Sequence, residues 1–371
     1  MADGLGELQN LGQSVWYDNI ERRLLETGEL QRLIDIGVTG MTSNPTIFEK
    51  AIDGSDYYDK DLRELNAKGL DAAEIYEKLI LCDIAMAAEL FQPVYERTGG
   101  RDGYVSLEPR PALAYDTDGT IKEIRRLHAA LKKHPNLMLK VPGTPAGMPA
   151  VETLLGEGIN INITLMFSIK HYDAVVEAFL SGLERLDAAG GDLSRIESVA
   201  SFFVSRVDTA VDSELQRLIA GGRDDLRPLL GKAGIANAKM AYRRFEEVTG
   251  SERFQALKAR GARAQRVLWA STSTKNPDYS DVMYVEGLIG PETINTMPTE
   301  TLNAYLDHGH AALSLKSGLD EAAGIMEELD AAGIDMEQVT EDLQTEGVRL
   351  FGKSLDKLIA RIEEKVRRLA A

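Results

Sequence analysis

Short apolar runs alternate along the chain with longer stretches in which apolar residues recur every three or four positions. Runs bounded by turn residues predict strands buried on both faces, and the longer stretches predict amphipathic helices. Strands are predicted over 14–18, 38–42, 104–108, 137–141, 159–167, 198–204, 266–272 and 293–297, the eighth weakly marked and ended by Pro298. Helices are predicted over 20–36, 71–97, 120–133, 150–155, 168–188, 207–219 and 237–248. Strands alternating with helices argue a parallel sheet, and eight such pairs fit a closed (β/α)8 TIM barrel. A doubly wound sheet would leave eight similar units unexplained, and no glycine-rich turn follows the first strand. From 318 onward the chain reads as helical and charged, above all over 335–369. These extra helices are expected to pack on the outside of the barrel, within a single domain spanning 1–371.

Charge narrows the partners. With 42 Lys and Arg against 59 Asp and Glu, the net charge is -17. That argues against a nucleic-acid or anionic-membrane surface. An anionic small substrate would need local cations against the overall field. The one cysteine, Cys82, lies in an apolar helical pattern with Ile80, Leu81 and Ile84 and reads as a core residue, not a reactive thiol. The N-terminal stretch Met1-Ala2-Asp3-Gly4-Leu5-Gly6 lacks a basic region followed by an apolar one, and no apolar run reaches the ~18 residues of a membrane span. A cytoplasmic location is expected. The oligomeric state stays open, a homo-oligomer included.

Two motifs are set aside. Gly347-Val348-Arg349-Leu350-Phe351-Gly352-Lys353-Ser354 matches the P-loop pattern, but it sits in an amphipathic helical stretch with no strand before it. His308-Gly309-His310 has no third ligand nearby and reads as a helix end, so no metal site is expected.

The stretch Asn136-Leu137-Met138-Leu139-Lys140-Val141-Pro142-Gly143 carries a lysine near the end of an apolar strand. Lysine is rarely buried unless paired or put to use. One reading is a buried stem whose ammonium snorkels to water. The other is a desolvated amine, a nucleophile able to form a Schiff base with a carbonyl. In a barrel of this kind the C-terminal strand ends carry the chemistry. Polar residues at those predicted ends are Asp18, Thr42, Ser43, Asn44, Glu108, Lys140, Asn162, Thr164, Ser201, Arg206, Ser273, Lys275 and Asn276. Singly each suits a helix cap. As a set they hold the amine, carboxylates, amides and cations that a Schiff-base carbon–carbon lyase or transferase needs.

Thr42-Ser43-Asn44-Pro45-Thr46, the strand Leu139-Lys140-Val141, Asn160-Ile161-Asn162-Ile163-Thr164-Leu165-Met166-Phe167-Ser168 and Ser201-Phe202-Phe203-Val204-Ser205-Arg206 together resemble the transaldolase family. The resemblance runs in the family's order from 14 to 302, and the C-terminal helices are similar too. It implies a (β/α)8 barrel whose lysine forms a Schiff base without metal or organic cofactor. It further implies transfer of a dihydroxyacetone unit between sugar phosphates in the pentose phosphate pathway. Carried over by position, Lys140 attacks the donor ketone and Asp18 takes the proton from the hydroxyl beside the breaking bond. Glu108, through a water held by Thr164, moves protons as the imine forms and hydrolyses. Thr42, Asn44, Asn162 and Ser201 fall among the substrate-binding positions, the last three holding the fragment's hydroxyls. Arg206 and Lys275 would hold the phosphate, and Phe203 and Ser273 are further substrate-binding positions.

Two departures stand out. Lys275 occupies a position where the family commonly has a second arginine, and lysine lacks the bidentate fork. Ser43 replaces a usual threonine and keeps the hydroxyl. The nearest rival is a lyase similar to fructose 6-phosphate aldolase, a shorter relative with glutamine in place of Glu108 and tyrosine in place of Phe203. A tyrosine hydroxyl can order a water that protonates the enamine; Phe203 cannot, which favours transfer. The other rival is a barrel that binds a sugar phosphate without catalysis, since fold alone never implies activity. Lys140, Asp18 and Glu108 are all present and argue against it.

Overall fold

The computed structural model describes residues 4–370. Residues 1–3 and 371, at the ends of the expected domain, lie outside them, as does the start of the N-terminal stretch read as carrying no leader. Eight parallel strands close into a barrel in sequence order. They are β1 (Gln13–Tyr17), β2 (Gly40–Thr42), β3 (Val105–Leu107), β4 (Leu137–Pro142), β5 (Ile161–Met166), β6 (Ser198–Phe203), β7 (Arg266–Ala270) and β8 (Thr293–Met297). Helices lie between them in the chain, so the fold is the expected (β/α)8 barrel.

Period-two alternation decides what faces the barrel interior. On β4, Leu137, Leu139 and Val141 join the large apolar shell, while Lys140 turns inward to meet groups from β2 and β3. On β5, Ile161 and Ile163 join the shell, and Asn162 reaches inward to Ser106 and Ser201. Gly40 opens β2 for a steric reason. A Cβ there would come within 2.5 Å of the Trp16 ring. The indole fills the interior at that level, and its N–H donates to Asp102 Oδ1 at 2.6 Å, on the N-terminal side.

Three helical regions differ from the sequence reading. The stretch 20–36 forms two helices, Arg22–Glu26 and Glu29–Asp35, separated at Gly28, whose φ of 76° suits glycine. The unassigned stretch after β2 holds helices Pro45–Asp53 and Asp59–Ala67. Asn44 caps the first, accepting from Ile47 N at 3.1 Å, and Pro45 takes the first helical position. On helix Ala72–Arg97 the expectation for Cys82 is corrected: Leu79, Ile80, Asp83 and Ile84 are buried, and Cys82 lies on the outward side, exposed. Ile80 and Ile84 define one stripe, and a residue two positions from each falls off it.

Helix Met336–Ala370 contains the whole Gly347–Ser354 pattern, with no strand to make it a phosphate cradle. It runs along the C-terminal rim of the barrel, not only its flank. Gln344 reaches the carbonyls of Gly143 and Leu165, Ser354 bonds Thr46, and Lys365 bonds the carbonyl of Ile52. Helix Thr299–His308 ends at the first histidine of the set-aside pair, and His308 Nε2 meets Asp281 at 2.9 Å. Among the described residues no helix is long and apolar enough to cross a membrane.

Candidate active site

The C-terminal mouth of the barrel opens into a cavity of about 450 Å³. Asp18, Thr42, Asn44, Lys140, Thr164, Ser201, Phe203, Arg206, Ser273 and Lys275 all line it. They arrive from six of the eight strand ends. Asp18 follows β1, Thr42 ends β2, Lys140 lies on β4, Thr164 on β5, Ser201 and Phe203 on β6, and Arg206 starts the helix Ser205–Ala220. Ser273 and Lys275 come from the loop after β7.

Lys140 is 5% exposed, and Glu108, one residue past β3, is 6% exposed. Lys140 Nζ donates to Glu108 Oε2 at 3.0 Å and to the Ser43 carbonyl at 3.1 Å. Burial pushes the Glu108 carboxyl above the usual range, and the facing ammonium only partly offsets this. A carboxylate so placed is a stronger base than a solvated one, and it lies within hydrogen-bond reach of the Lys140 ammonium.

Asp18 accepts from Thr42 Oγ1 at 2.6 Å. Its carboxyl is also raised by burial, with the Thr42 hydroxyl, Lys140 and Arg206 pulling the other way. Thr42 Oγ1 lies 2.7 Å from Thr296 Oγ1 as well. An ionised Asp18 only accepts, so Thr42 spends its one hydrogen there and Thr296 donates to Thr42. Thr296 lines the cavity and was missed in the sequence because β8 was the weakest strand signal.

Glu108 and Asn162 stand behind the cavity wall. Glu108 meets the cavity through Lys140. Asn162, expected to hold substrate hydroxyls, is fully buried; its Oδ1 accepts from Ser201 Oγ at 2.7 Å and its amide donates to Ser106 Oγ at 3.1 Å. It therefore orients Ser201, which does reach the cavity. Asn44 reaches the cavity while its side-chain oxygen caps the following helix. Thr164 Oγ1 is buried and has no hydrogen-bond partner among the described residues.

At the far side, the Arg206 guanidinium lies over the Phe203 ring at 5.4 Å, and Phe203 packs on Phe167 with ring centroids 5.0 Å apart. Among the described residues no carboxylate ion-pairs with Arg206. Burial lowers its pKa from the ordinary arginine value, opposed by Glu346 and Asp18. Lys275 is exposed, and its ammonium bonds Ser273 Oγ. Ser205 and Ser271 also line this side, their hydroxyls 2.9 Å apart. So does Phe351, brought in by the C-terminal helix. Amphipathic pattern alone shows that such a helix buries a face, not what it covers.

A family model described as transaldolase/fructose-6-phosphate aldolase matches residues 15–362. A Trichodesmium erythraeum protein named transaldolase is 45% identical over 377 residues, covering 100% of this chain and 99% of that protein. A Thiobacillus denitrificans transaldolase is 48% identical over 357 residues, covering 96% of this chain and 98% of its own length. One from Acidothermus cellulolyticus is 46% identical over 370 residues, covering 99% and 98%.

Proposed function

The chain belongs to the transaldolase/fructose-6-phosphate aldolase family and is a transaldolase, and we propose that Lys140 carries its chemistry. The observation that supports this reading best is a buried lysine paired with a buried carboxylate at the floor of an open cavity, with a second carboxylate on the same wall. The donor is sedoheptulose 7-phosphate or fructose 6-phosphate. Glu108 takes a proton from the Lys140 ammonium, and the neutral amine adds to the donor ketone. Loss of water gives the iminium. Asp18 then removes the proton of the hydroxyl beside the bond that breaks. The bond's electrons flow to the iminium nitrogen, an aldose phosphate leaves, and a dihydroxyacetone enamine stays on Lys140. Attack of that enamine on an acceptor aldehyde reverses the sequence. With sedoheptulose 7-phosphate and glyceraldehyde 3-phosphate the products are erythrose 4-phosphate and fructose 6-phosphate, the exchange of the pentose phosphate pathway in the cytoplasm.

Thr164, with its hydroxyl uncommitted, holds the water that enters and leaves at the imine. Ser201 and Asn44 take the fragment's hydroxyls, Ser201 oriented by Asn162. Arg206 and Lys275, with Ser273, take the phosphate, the arginine by paired hydrogen bonds and the lysine as a charge. The reaction as written needs no metal or organic cofactor. Phe203 presents no hydroxyl to a water near the enamine, so the fragment waits for an aldehyde. The test is a coupled assay with fructose 6-phosphate, with and without erythrose 4-phosphate. Turnover that depends on the acceptor is expected. Equal turnover without it would make the protein a lyase.

A further inference from the structure

The C-terminal helix meets the barrel at an irregular point. Ile163 of β5 pairs with Ala200 of β6, but the next pairing is Met166 with Phe202, so three steps on one strand oppose two on the other. This is a β-bulge, a device that re-aims side chains beside active sites. Thr164 and Leu165 together oppose Ser201 there, while Thr164 keeps its pairing with Pro142 of β4. Leu165 has a φ of 61°, a left-handed conformation that leucine seldom adopts and that persists only when its surroundings fix it.

Two residues of helix Met336–Ala370 do the fixing. The Gln344 side chain is buried, and its amide nitrogen donates to the Leu165 carbonyl at 2.9 Å and to the Gly143 carbonyl at 2.9 Å. Only the NH2 end of the amide matches two carbonyls. Gly143 in turn donates its N–H to the Thr164 carbonyl at 2.6 Å. One side-chain amide thus joins the end of the Lys140 strand to the bulge carrying Thr164. One turn on, Gly347 faces the Leu165 side chain so closely that an added Cβ would lie 2.8 Å from Leu165 Cδ2. Any larger residue there would press on the buried Leu165 side chain. The same short segment includes Glu346, whose charge acts on Arg206.

We propose that Gln344 and Gly347 are positioning residues for the reaction. They hold the β5 bulge in the geometry that sets Thr164, with its buried and unpartnered hydroxyl, at the cavity wall that Lys140 also lines. This rests on the reading that Thr164 serves the imine steps. The C-terminal helix is then a part of the active site's framework, acting through backbone it touches and not through substrate.

The test is a double-mutant cycle. Gln344→Met keeps the volume and removes the two donated bonds. With fructose 6-phosphate and erythrose 4-phosphate, it is expected to lower kcat about tenfold with KM changed less than about twofold. In a Thr164→Ala background the same change should cost less than about twofold, because the group it positions is gone. Gly347→Ala, which leaves Gln344 intact, should show the same coupling with a smaller loss. Ser354→Ala, which breaks a different tie between the helix and the barrel, should leave kcat unchanged. Thermal midpoints and borohydride trapping report that each variant is folded and still forms the imine. Equal losses from Gln344→Met in both backgrounds, or no loss in either, would overturn the positioning role while leaving Thr164's own role standing. An unchanged kcat in Thr164→Ala alone would overturn the reading of Thr164, and the positioning role with it.

Discussion

The two ends of the barrel use the same residue types in opposite ways. At the N-terminal end Glu197 is buried with Arg101 at 2.7 Å, Arg266 at 3.3 Å and Arg263 at 3.7 Å. Asp102 takes the Trp16 N–H, the Ser14 hydroxyl and, at 3.6 Å, Arg266. Each of these charges lies within 4 Å of an opposite one, although Glu197 Oε2 and Arg266 Nε make no hydrogen bond among the described residues. At the C-terminal end Arg206 has no carboxylate in contact among the described residues, the Thr164 hydroxyl is uncommitted, and Lys140 shares one carboxylate. Charges that satisfy each other hold a structure together. Charges and dipoles left incomplete around a cavity are available to a substrate, at some cost in stability. In a barrel this division follows from topology: loops leaving the C-terminal strand ends can vary, while the opposite end closes the fold.

Lys140→Met tests the contrast most severely. Removing the amine should abolish turnover and borohydride trapping with donor. The fold should hold, because Glu108, no longer facing an ammonium, takes up a proton and is buried neutral. A mutant that unfolds would mean that the pair at the top is as structural as the cluster at the bottom. Trapping at another lysine would sink the assignment.

Glu197→Gln is the mirror experiment. It takes one carboxylate from three arginines in the N-terminal cluster, of which Arg101 keeps Glu292 and Arg266 keeps Asp102, and breaking a buried pair costs about 3–5 kcal/mol. The expected result is a lower denaturation midpoint with kcat unchanged in the surviving folded enzyme. A fall in kcat without loss of stability would erase the division of labour.

Arg206→Ala comes next. Charge-assisted hydrogen bonds contribute about 1.5–3 kcal/mol each. The expected loss in kcat/KM for phosphorylated donors is therefore about tenfold or more. Lys275→Ala should cost less, Lys275→Arg should be tolerated, and both losses should largely vanish with an unphosphorylated ketose. Equal losses on both donor types would place the phosphate elsewhere.

Thr42→Val should have the smallest effect. In the proposed role Asp18 works ionised, so activity should fall as pH drops through its pKa, already raised by burial. The Thr42 hydroxyl bonds the charged form and lowers that pKa; its removal raises it further. The acidic limb of the kcat/KM profile should move to higher pH. A limb that stays in place would show that another group governs it.

The strands were legible in the sequence because β4 and β5, covered on both faces, read as continuous apolar runs with single polar interruptions. Two of those interruptions, Lys140 and Thr164, line the cavity, which is why both could be picked out as candidates without a structure. Asn162 was legible as an inward polar residue, but its hydrogen bonds to Ser106 and Ser201, which put it behind the wall, were not. Helix Pro45–Asp53 was hidden because Asn44 and Pro45 signal a turn and a helix start alike. The rim position of the C-terminal helix was unreadable for a different reason. Gln344 and Gly347 meet the Leu165 carbonyl and side chain, some 180 residues away in sequence, and no local pattern encodes such a pairing.

Trp16 makes the barrel a blind-ended vessel. Its ring occupies the interior at Gly40, and the charge cluster seals the space beneath it. Whatever enters through the mouth must go back out the same way. A departing aldose phosphate and an arriving one would compete for one doorway and one phosphate cradle, so they have to take turns. Initial rates measured against donor at several fixed acceptor concentrations should therefore give parallel double-reciprocal lines.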